Sequence, residues 1–449
     1  MYPKHTALHS ILAASSLSTL STLTALAGTE LAVDSSAVEL PTDAPVSNAT
    51  GLLVGKLVGE TAMDRAWSAA ILYKNDDNQF IQLFQLVGRL QLQSIYGKAG
   101  GGYEYDTSDF KAAGNDEIVW GDNIEVRRAR LGFKSKFFQT WKVDGSFNVD
   151  VDGNDGIGGD TTYYKNLHEL FVSYAPTDQF ALSIGKKQVR FSRDQEISST
   201  EIVTLERSVA TQILTPGELT GVWSIGKGIA GGFHYEVGAY SNSRVREFAQ
   251  PGDGGFLYIG KIGYEFAEKT GLDSCLTTLT YMHNTEPGYR DGKIDRNFPS
   301  ASSPTFTDSV ALTNDLSHGR FGLITEVMYG FGYTGTANHG VARPAAVAQS
   351  DLGALTITPS YFIADGLQLA YRFQVISAAD PNGIRVPARY DRLAIGDDES
   401  GNTYVSHYLG LNYYIYSHKL KLMAGAEYAQ IGGGTYDGLT LVSALRMTF

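Results

Sequence analysis

Between Ile124 and Phe137 the chain alternates with a period of two. Ala129, Leu131, Phe133 and Phe137 fall on one face, and Arg128, Arg130, Lys134 and Lys136 fall on the other. After a break at Phe138-Gln-Thr the pattern resumes, with Val143, Phe147, Val149 and Val151 opposing Lys142, Asp144, Ser146, Asn148 and Asp150. Successive side chains of a strand point to opposite faces, so this spacing predicts two amphipathic strands joined by a tight turn. Strands that cross a bilayer need roughly 9–11 residues, apolar toward lipid and polar toward a lumen. The same alternation fits a soluble β-sandwich, so this stretch alone leaves both readings open.

The pattern recurs to the end of the chain. Phe80–Ile95 sets Leu86, Leu90 and Leu92 against Gln85, Arg89, Gln91 and Gln93. Strands are predicted at Ile124–Phe137, Trp141–Val151, Tyr163–Tyr174, Phe180–Arg190, Thr220–Gly226, Gly232–Ser241, Phe256–Phe266 and Leu272–Asn284. Further ones follow at Gly319–Gly330, Asp351–Ile363, Leu367–Ile376, Tyr404–Tyr416, Lys419–Gln430 and Gly438–Phe449, fifteen in all. A closed barrel of this kind has an even number of strands, with short inner turns alternating with longer outer loops. Counted back from the C-terminus, the alternation fails only at Thr285–His318, which is too long for an inner turn. Thr305–Thr313 supplies the missing strand, ending at a turn over Asn314-Asp315-Leu316-Ser317, and the count becomes sixteen.

Ahead of the strands, Met1–Ala27 reads as a secretory signal peptide: Lys4 and His5, a small-residue and Leu run, and the cleavage pattern Ala25-Leu26-Ala27. No Cys follows that site, which argues against a lipoprotein anchor. Residues 28–78 read as a periplasmic linker with a short helix, because Met63, Trp67, Ala70 and Ile71 within Thr50–Leu72 have helical spacing. Residues 79–449 form the barrel domain. The chain ends on Phe449, with Leu439, Leu441, Leu445 and Met447 on its face. Together with a secretory signal, this terminal aromatic strand points to the outer membrane of a Gram-negative-type bacterium.

Composition narrows the choice. The 26 Tyr fit aromatic girdles at two membrane interfaces, and 50 Gly against 13 Pro fit turns and curved strands. A mean hydropathy of −0.14 suits strands with one wet face. No stretch beyond the leader approaches the ~20 apolar residues of a membrane helix. The net charge of −12 excludes nucleic acid as a partner, since phosphate binding needs a basic face. Cys275 is the single cysteine, so a disulfide or thiolate cluster within the chain is excluded, and it reads as a small packing residue.

The segments Arg127–Lys136 (RRARLGFKSK), Leu182–Ser192 (LSIGKKQVRFS) and Leu205–Ser208 (LERS) resemble the phosphate-selective porin O and P family. The likeness extends over about Phe80–Phe449 and is sharpest from Ile124 to Trp223. It implies an all-β, transmembrane antiparallel barrel of about sixteen strands, forming a homotrimer in outer-membrane lipid. It also implies a third outer loop, here Phe191–Leu219, folded inward as a constriction. Within that loop the resemblance places Arg193, Glu196, Glu201, Glu206 and Arg207, with Glu206 and Arg207 near the neck and Arg128 and Arg130 on the facing wall.

The expected pore lining is Arg89, Arg128, Arg130, Lys134, Lys136, Lys142 and Arg372, with Lys187 and Lys421. The same face carries Asp144, Asp150, Glu169, Glu265, Glu326 and Glu427, and the loop adds Asp194 and Glu218. Cations facing carboxylates across a water-filled neck orient polar solutes and disfavour apolar ones. The mixed signs favour passive diffusion of small hydrophilic solutes or ions over the family's phosphate selectivity, which remains an alternative.

Other chemistry finds little support. Asp150-Val-Asp152-Gly-Asn154-Asp155-Gly156 glances at a calcium loop, but Asp155 stands where Gly is required and Thr161 where the closing Glu belongs. The nine His are scattered without metal-ligand spacing, and His168, His407 and His418 read as girdle residues. Neither a G-x-S-x-G elbow nor a phosphate-cradling loop occurs, and no cofactor or metal is expected. Two other classes stay open: a surface barrel binding ligands through the loops Ser94–Asn123 and Ser377–Thr403 with its pore occluded, and an outer-membrane hydrolase.

Overall fold

The computed structural model describes residues 61–99, 103–104, 111–112, 119–149, 164–243, 247–252, 254–286, 306–332, 351–381, 383–385, 400–432 and 437–449. The expected signal peptide, most of the linker, and the calcium-like stretch from Asp150 to Gly156 lie outside the described residues.

Sixteen antiparallel strands close into a barrel. They are β1 (Ile81–Ala99), β2 (Val119–Phe137), β3 (Trp141–Val149), β4 (Tyr164–Thr177), β5 (Phe180–Gln188), β6 (Glu218–Ile229), β7 (Phe233–Ser241) and β8 (Phe256–Glu265). The second half comprises β9 (Ser274–Asn284), β10 (Asp308–His318), β11 (Phe321–Phe331), β12 (Leu352–Ala364), β13 (Leu367–Ala378), β14 (Thr403–Tyr416), β15 (Leu420–Gly432) and β16 (Asp437–Thr448). Each strand pairs with its neighbour in sequence, and β16 pairs with β1 from Thr440↔Gly97 to Thr448↔Arg89, so every long edge is satisfied. Inner links of two to eight residues (138–140, 178–179, 230–232, 266–273, 319–320, 365–366 and 417–419) alternate with outer links of fourteen residues or more, the four-residue outer link 433–436 being the exception.

Most strand ends fall within five residues of the expectation, and one of the differences misplaces a turn. The strand expected at Thr305–Thr313 is β10, Asp308–His318, and Asn314-Asp315-Leu316-Ser317 is not a turn but strand, in register with Thr277, Leu276, Cys275 and Ser274. The turn sits at Gly319 instead, whose φ of 56° suits glycine. The turn-like composition misleads because these polar groups have strand roles: Asp315 reaches Arg193 at 2.7 Å, and Asn314 accepts from Thr277 at 2.7 Å.

The outward face carries a continuous apolar belt that includes Leu131, Ile184, Val237, Ile262, Leu279, Leu312, Leu409 and Leu441, all exposed. A soluble protein rarely leaves so extensive a patch uncovered, and hydrocarbon covers it here. Aromatic pairs flank the belt, with Trp141 against Tyr174 beside inner turns and Tyr329 against Phe331 at the outer ends.

The helix expected within Thr50–Leu72 is present as α1, Ala62–Ser68, where Thr61 and Asp64 form a capping box. A short strand, Ile71–Lys74, then pairs with Leu83–Gln85 of β1, on the edge that β16 vacates when it ends at Phe449. Trp67 donates to the Thr448 carbonyl at 2.5 Å, and Tyr416 bonds Asp64, so this element closes the seam of the barrel. Gly88 lies beneath the Phe449 ring, which a Cβ there would strike. The turn 138–140 holds Phe138 and Gln139 at positive φ, 48° and 64°. Left-handed backbone costs a non-glycine residue about 1–2 kcal/mol. Gln139 offsets that cost by taking bonds from its amide N–H to Gln82 and from its side chain to the carbonyls of Asp76 and Asn78.

The lumen is not uniformly polar. Along the outer parts of β8 to β15, Leu257, Ile259, Met282, Ala311, Met328, Leu352, Ala354, Ile376, Tyr404 and Ile431 face inward and are buried. They pack against Phe191, Val209, Ala210, Ile213 and Leu214 of the segment 189–217. Fully burying such a side chain stabilises by about 1.5–3 kcal/mol, so this segment is held inside by a hydrophobic core of its own.

Candidate functional site: a cationic wall and an enclosed loop

Residues 189–217 join β5 to β6 and contain two short helices, α2 (Arg193–Glu196) and α3 (Val209–Leu214). Wall acceptors cap them: Glu326 takes the Asp194 N–H at 3.1 Å, and Gln374 takes the Val209 N–H at 2.9 Å. Asp194 in turn accepts the Ser208 N–H at 2.7 Å, tying the two turns together. The side facing β1 to β6 remains open. A cavity of about 620 Å³ there is lined by Arg89, Arg127, Arg128, Arg130, Lys165, Arg190 and Arg207, and by Glu169, Glu196, Glu201 and Glu218.

The cationic wall owes its arrangement to a bulge. β1 and β2 pair Gln91↔Arg128 and then Leu92↔Val126, which leaves Arg127 as the extra residue. Both Arg127 and Arg128 therefore reach the lumen. Strict alternation would send Arg127 to lipid, and the sequence reading missed it for that reason. Arg127 grips Glu206 with Nε at 2.7 Å, and Arg128 stands 3.7 Å from the same carboxylate. Burial pushes the Glu206 carboxyl up, but Arg127 and Arg128 outweigh it and hold the group well below the usual carboxylate range. The charge of Glu206 is thus taken up in direct contact with the wall and is not presented across an open gap.

The remaining expected residues separate into three settings. Arg89 donates to Ser199 at 2.6 Å and Ser198 at 3.0 Å, Arg128 to Gln91 at 2.8 Å, and Arg130 to Asn148 at 2.7 Å. These short contacts all go to neutral groups, so Arg89 and Arg130 leave their charge to act on the cavity, whereas Arg128 shares its charge with Glu206. Lys134, Lys136 and Lys142 lie near the inner mouth, with Lys134 in register with Asp144. Arg372 is only 3 % exposed, bonded to Glu427 at 3.0 Å and to the Glu206 carbonyl at 2.6 Å. Arg193 binds Asp315 and Glu196, and Lys261 bridges Glu196 to Glu236, which meets Lys187 at 2.5 Å. Arg207 donates to the carbonyls of Asp194 and Ile197, and Glu201 is exposed to the cavity.

His168 is not a girdle residue. A second bulge, between β3 and β4, turns it inward, where Arg130 Nη1 meets its Nε2 at 2.7 Å and its Nδ1 is 3.3 Å from Glu218. His407 does face outward, bonded to the Tyr371 hydroxyl at 2.7 Å and packed on Phe373. His418 sits in the turn 417–419 against Tyr414, where burial and then Lys421 lower its imidazole to about 4. Among the described residues, no cluster of His, Cys, Asp or Glu is arranged to hold a metal ion.

The family described as phosphate-selective porin O and P matches residues 98–256, which contain all three segments that carry the resemblance. No curated protein matches the chain. Among solved structures, OmpF of Salmonella typhi, in complex with daunomycin, is 11 % identical with a TM-score of 0.52, covering 84 % of this chain and 100 % of that one. OmpT, an outer membrane protein of Vibrio cholerae, is 10 % identical with a TM-score of 0.51, covering 85 % and 100 %. At such identity these likenesses show the fold.

Proposed function

We propose that this chain, a Gram-negative outer-membrane barrel with a phosphate-selective porin O and P segment at residues 98–256, lets small hydrophilic solutes and ions diffuse passively through a constriction formed by its third outer loop. The observation that carries the reading is the polar cavity of about 620 Å³ between that loop and the wall of β1 to β6. Seven cationic and four acidic side chains line it. Charged rings of this kind set ion choice, and a cationic excess gives a mild preference for anions. Both signs line the path, and a path of mixed sign supports a broad range of polar solutes over one tightly bound anion. From the family we carry over a trimeric assembly, each subunit with its own passage.

A liposome-swelling assay tests this. Vesicles holding the purified protein should swell in small neutral sugars and in small organic anions, faster in the anions, and resist large oligosaccharides. Folded protein that gives no swelling in any of them would contradict the proposal and leave the surface-binding barrel.

A further inference from the structure

We infer that five wall side chains, one from each of five adjacent strands, form a clamp on the backbone carbonyls of the third outer loop and fix the width of the passage. Gln91 of β1 donates to the Ser199 carbonyl at 3.1 Å, and Arg446 of β16 donates to the same oxygen at 2.7 Å. Lys421 of β15 takes the Ile202 carbonyl at 2.9 Å, and Asn412 of β14 takes that of Val203 at 2.8 Å. Arg446 reaches on to the Leu205 carbonyl, and Arg372 of β13 bonds that of Glu206 at 2.6 Å. The donors come from β13, β14, β15, β16 and β1, the arc that contains the closure of the barrel.

The physical reason is an accounting of backbone polar groups. Apart from Glu201, the stretch 199–206 is buried or half-buried and lies outside the strands, so its carbonyls must find donors elsewhere. Charge-assisted donors are stronger than neutral ones, and a guanidinium spans two carbonyls, as Arg446 does here. Arg446 and Lys421 are both 0 % exposed, and Lys421 has the like charge of Arg446, the opposite charge of Glu201 and the Tyr414 ring around it. Buried cations are costly unless geometry repays them, and here the carbonyl row supplies that geometry. None of the five donors lines the cavity. They act on solutes through the loop, as positioning residues, and the positive charges of Arg372, Lys421 and Arg446 are directed at the loop backbone, away from the solute path.

The inference rests on the loop being the constriction, and its test is chosen to separate the two. A nitroxide is attached at position 201, which is exposed to the cavity, using Glu201→Cys in a Cys275→Ser background. In the otherwise unaltered protein the label should be immobilised. With Lys421→Met or Arg446→Gln added it should become mobile while the barrel stays heat-modifiable. Asn412→Leu, which deletes a neutral donor, covers the case in which the buried-charge variants fail to fold, and should mobilise the label to a smaller degree. In single-channel recordings the same variants, without the label, should replace one conductance level by several while leaving the reversal potential unchanged. A label equally immobile in folded Lys421→Met, Arg446→Gln and Asn412→Leu would overturn the clamp. So would a shifted reversal potential with one steady conductance level, since that would place these side chains in the solute path. Should the unaltered protein conduct nothing, the channel reading falls, and label mobility still decides the clamp.

Discussion

At the scale of single residues, the proposed constriction depends on where charge is cancelled and where it is left to act. Glu206 takes up much of the charge of Arg127 and Arg128. Glu206→Gln should therefore make the passage more cationic, and the reversal potential in a salt gradient should move toward greater anion preference. The loss of a partner for a partly buried charge costs on the order of 1–3 kcal/mol, so the protein should still fold. His418 gives a pH signature. Its folded-state value of about 4 lies below the usual value, so the neutral form is the one the fold prefers. Its contribution to stability is complete above a pH of about 6.5 and is lost as pH falls toward the folded value. Over that window the protein should lose on the order of 2 kcal/mol that a His418→Gln variant keeps, read as the shift in urea midpoint between the two. Residue-level chemistry was legible in the sequence wherever alternation held: Arg89, Arg128 and Arg130 all lie on the predicted face. Arg127 and His168 were not legible, because each sits at a bulge, and a bulge leaves no mark in a period of two.

At the scale of elements, strands were readable because lipid and water impose opposite demands on their two faces. The extra strand demanded by parity was right in existence and short by several residues, since Asp315 looks like a turn former until Arg193 is found opposite it. The apolar interior was the larger omission. Phe256-Leu257-Tyr258-Ile259 is apolar on both faces, a sign that something other than water covers the inner one, and α3 does so. Leu214→Ala should remove about 2–5 kcal/mol of packing from that helix, seen as noisier current through a barrel that remains heat-modifiable. The seam offers a second test. Gly88→Val places a side chain where the Phe449 ring lies. The expected result is an overpacking cost of about 1–3 kcal/mol and a lower unfolding temperature; an unchanged temperature would show that the ring moves freely.

At the scale of the whole molecule, the barrel is asymmetric. Its C-terminal half is filled by the loop and the loop's own apolar core, and the open path follows β1 to β6 under the cations of the wall. This division bears on how an acidic chain, net −12, lines a cavity with a cationic excess: two acidic groups of the loop, Glu206 and Glu196, are held in ion pairs with the wall. The measurement that bears most directly on this account is planar-bilayer conductance of the purified protein, with the reversal potential read in a KCl gradient. The account predicts stepwise insertion of open channels, in groups of three for a trimer, with a reversal potential displaced modestly toward chloride. Cation preference, or no conductance from a folded and heat-modifiable barrel, would contradict it.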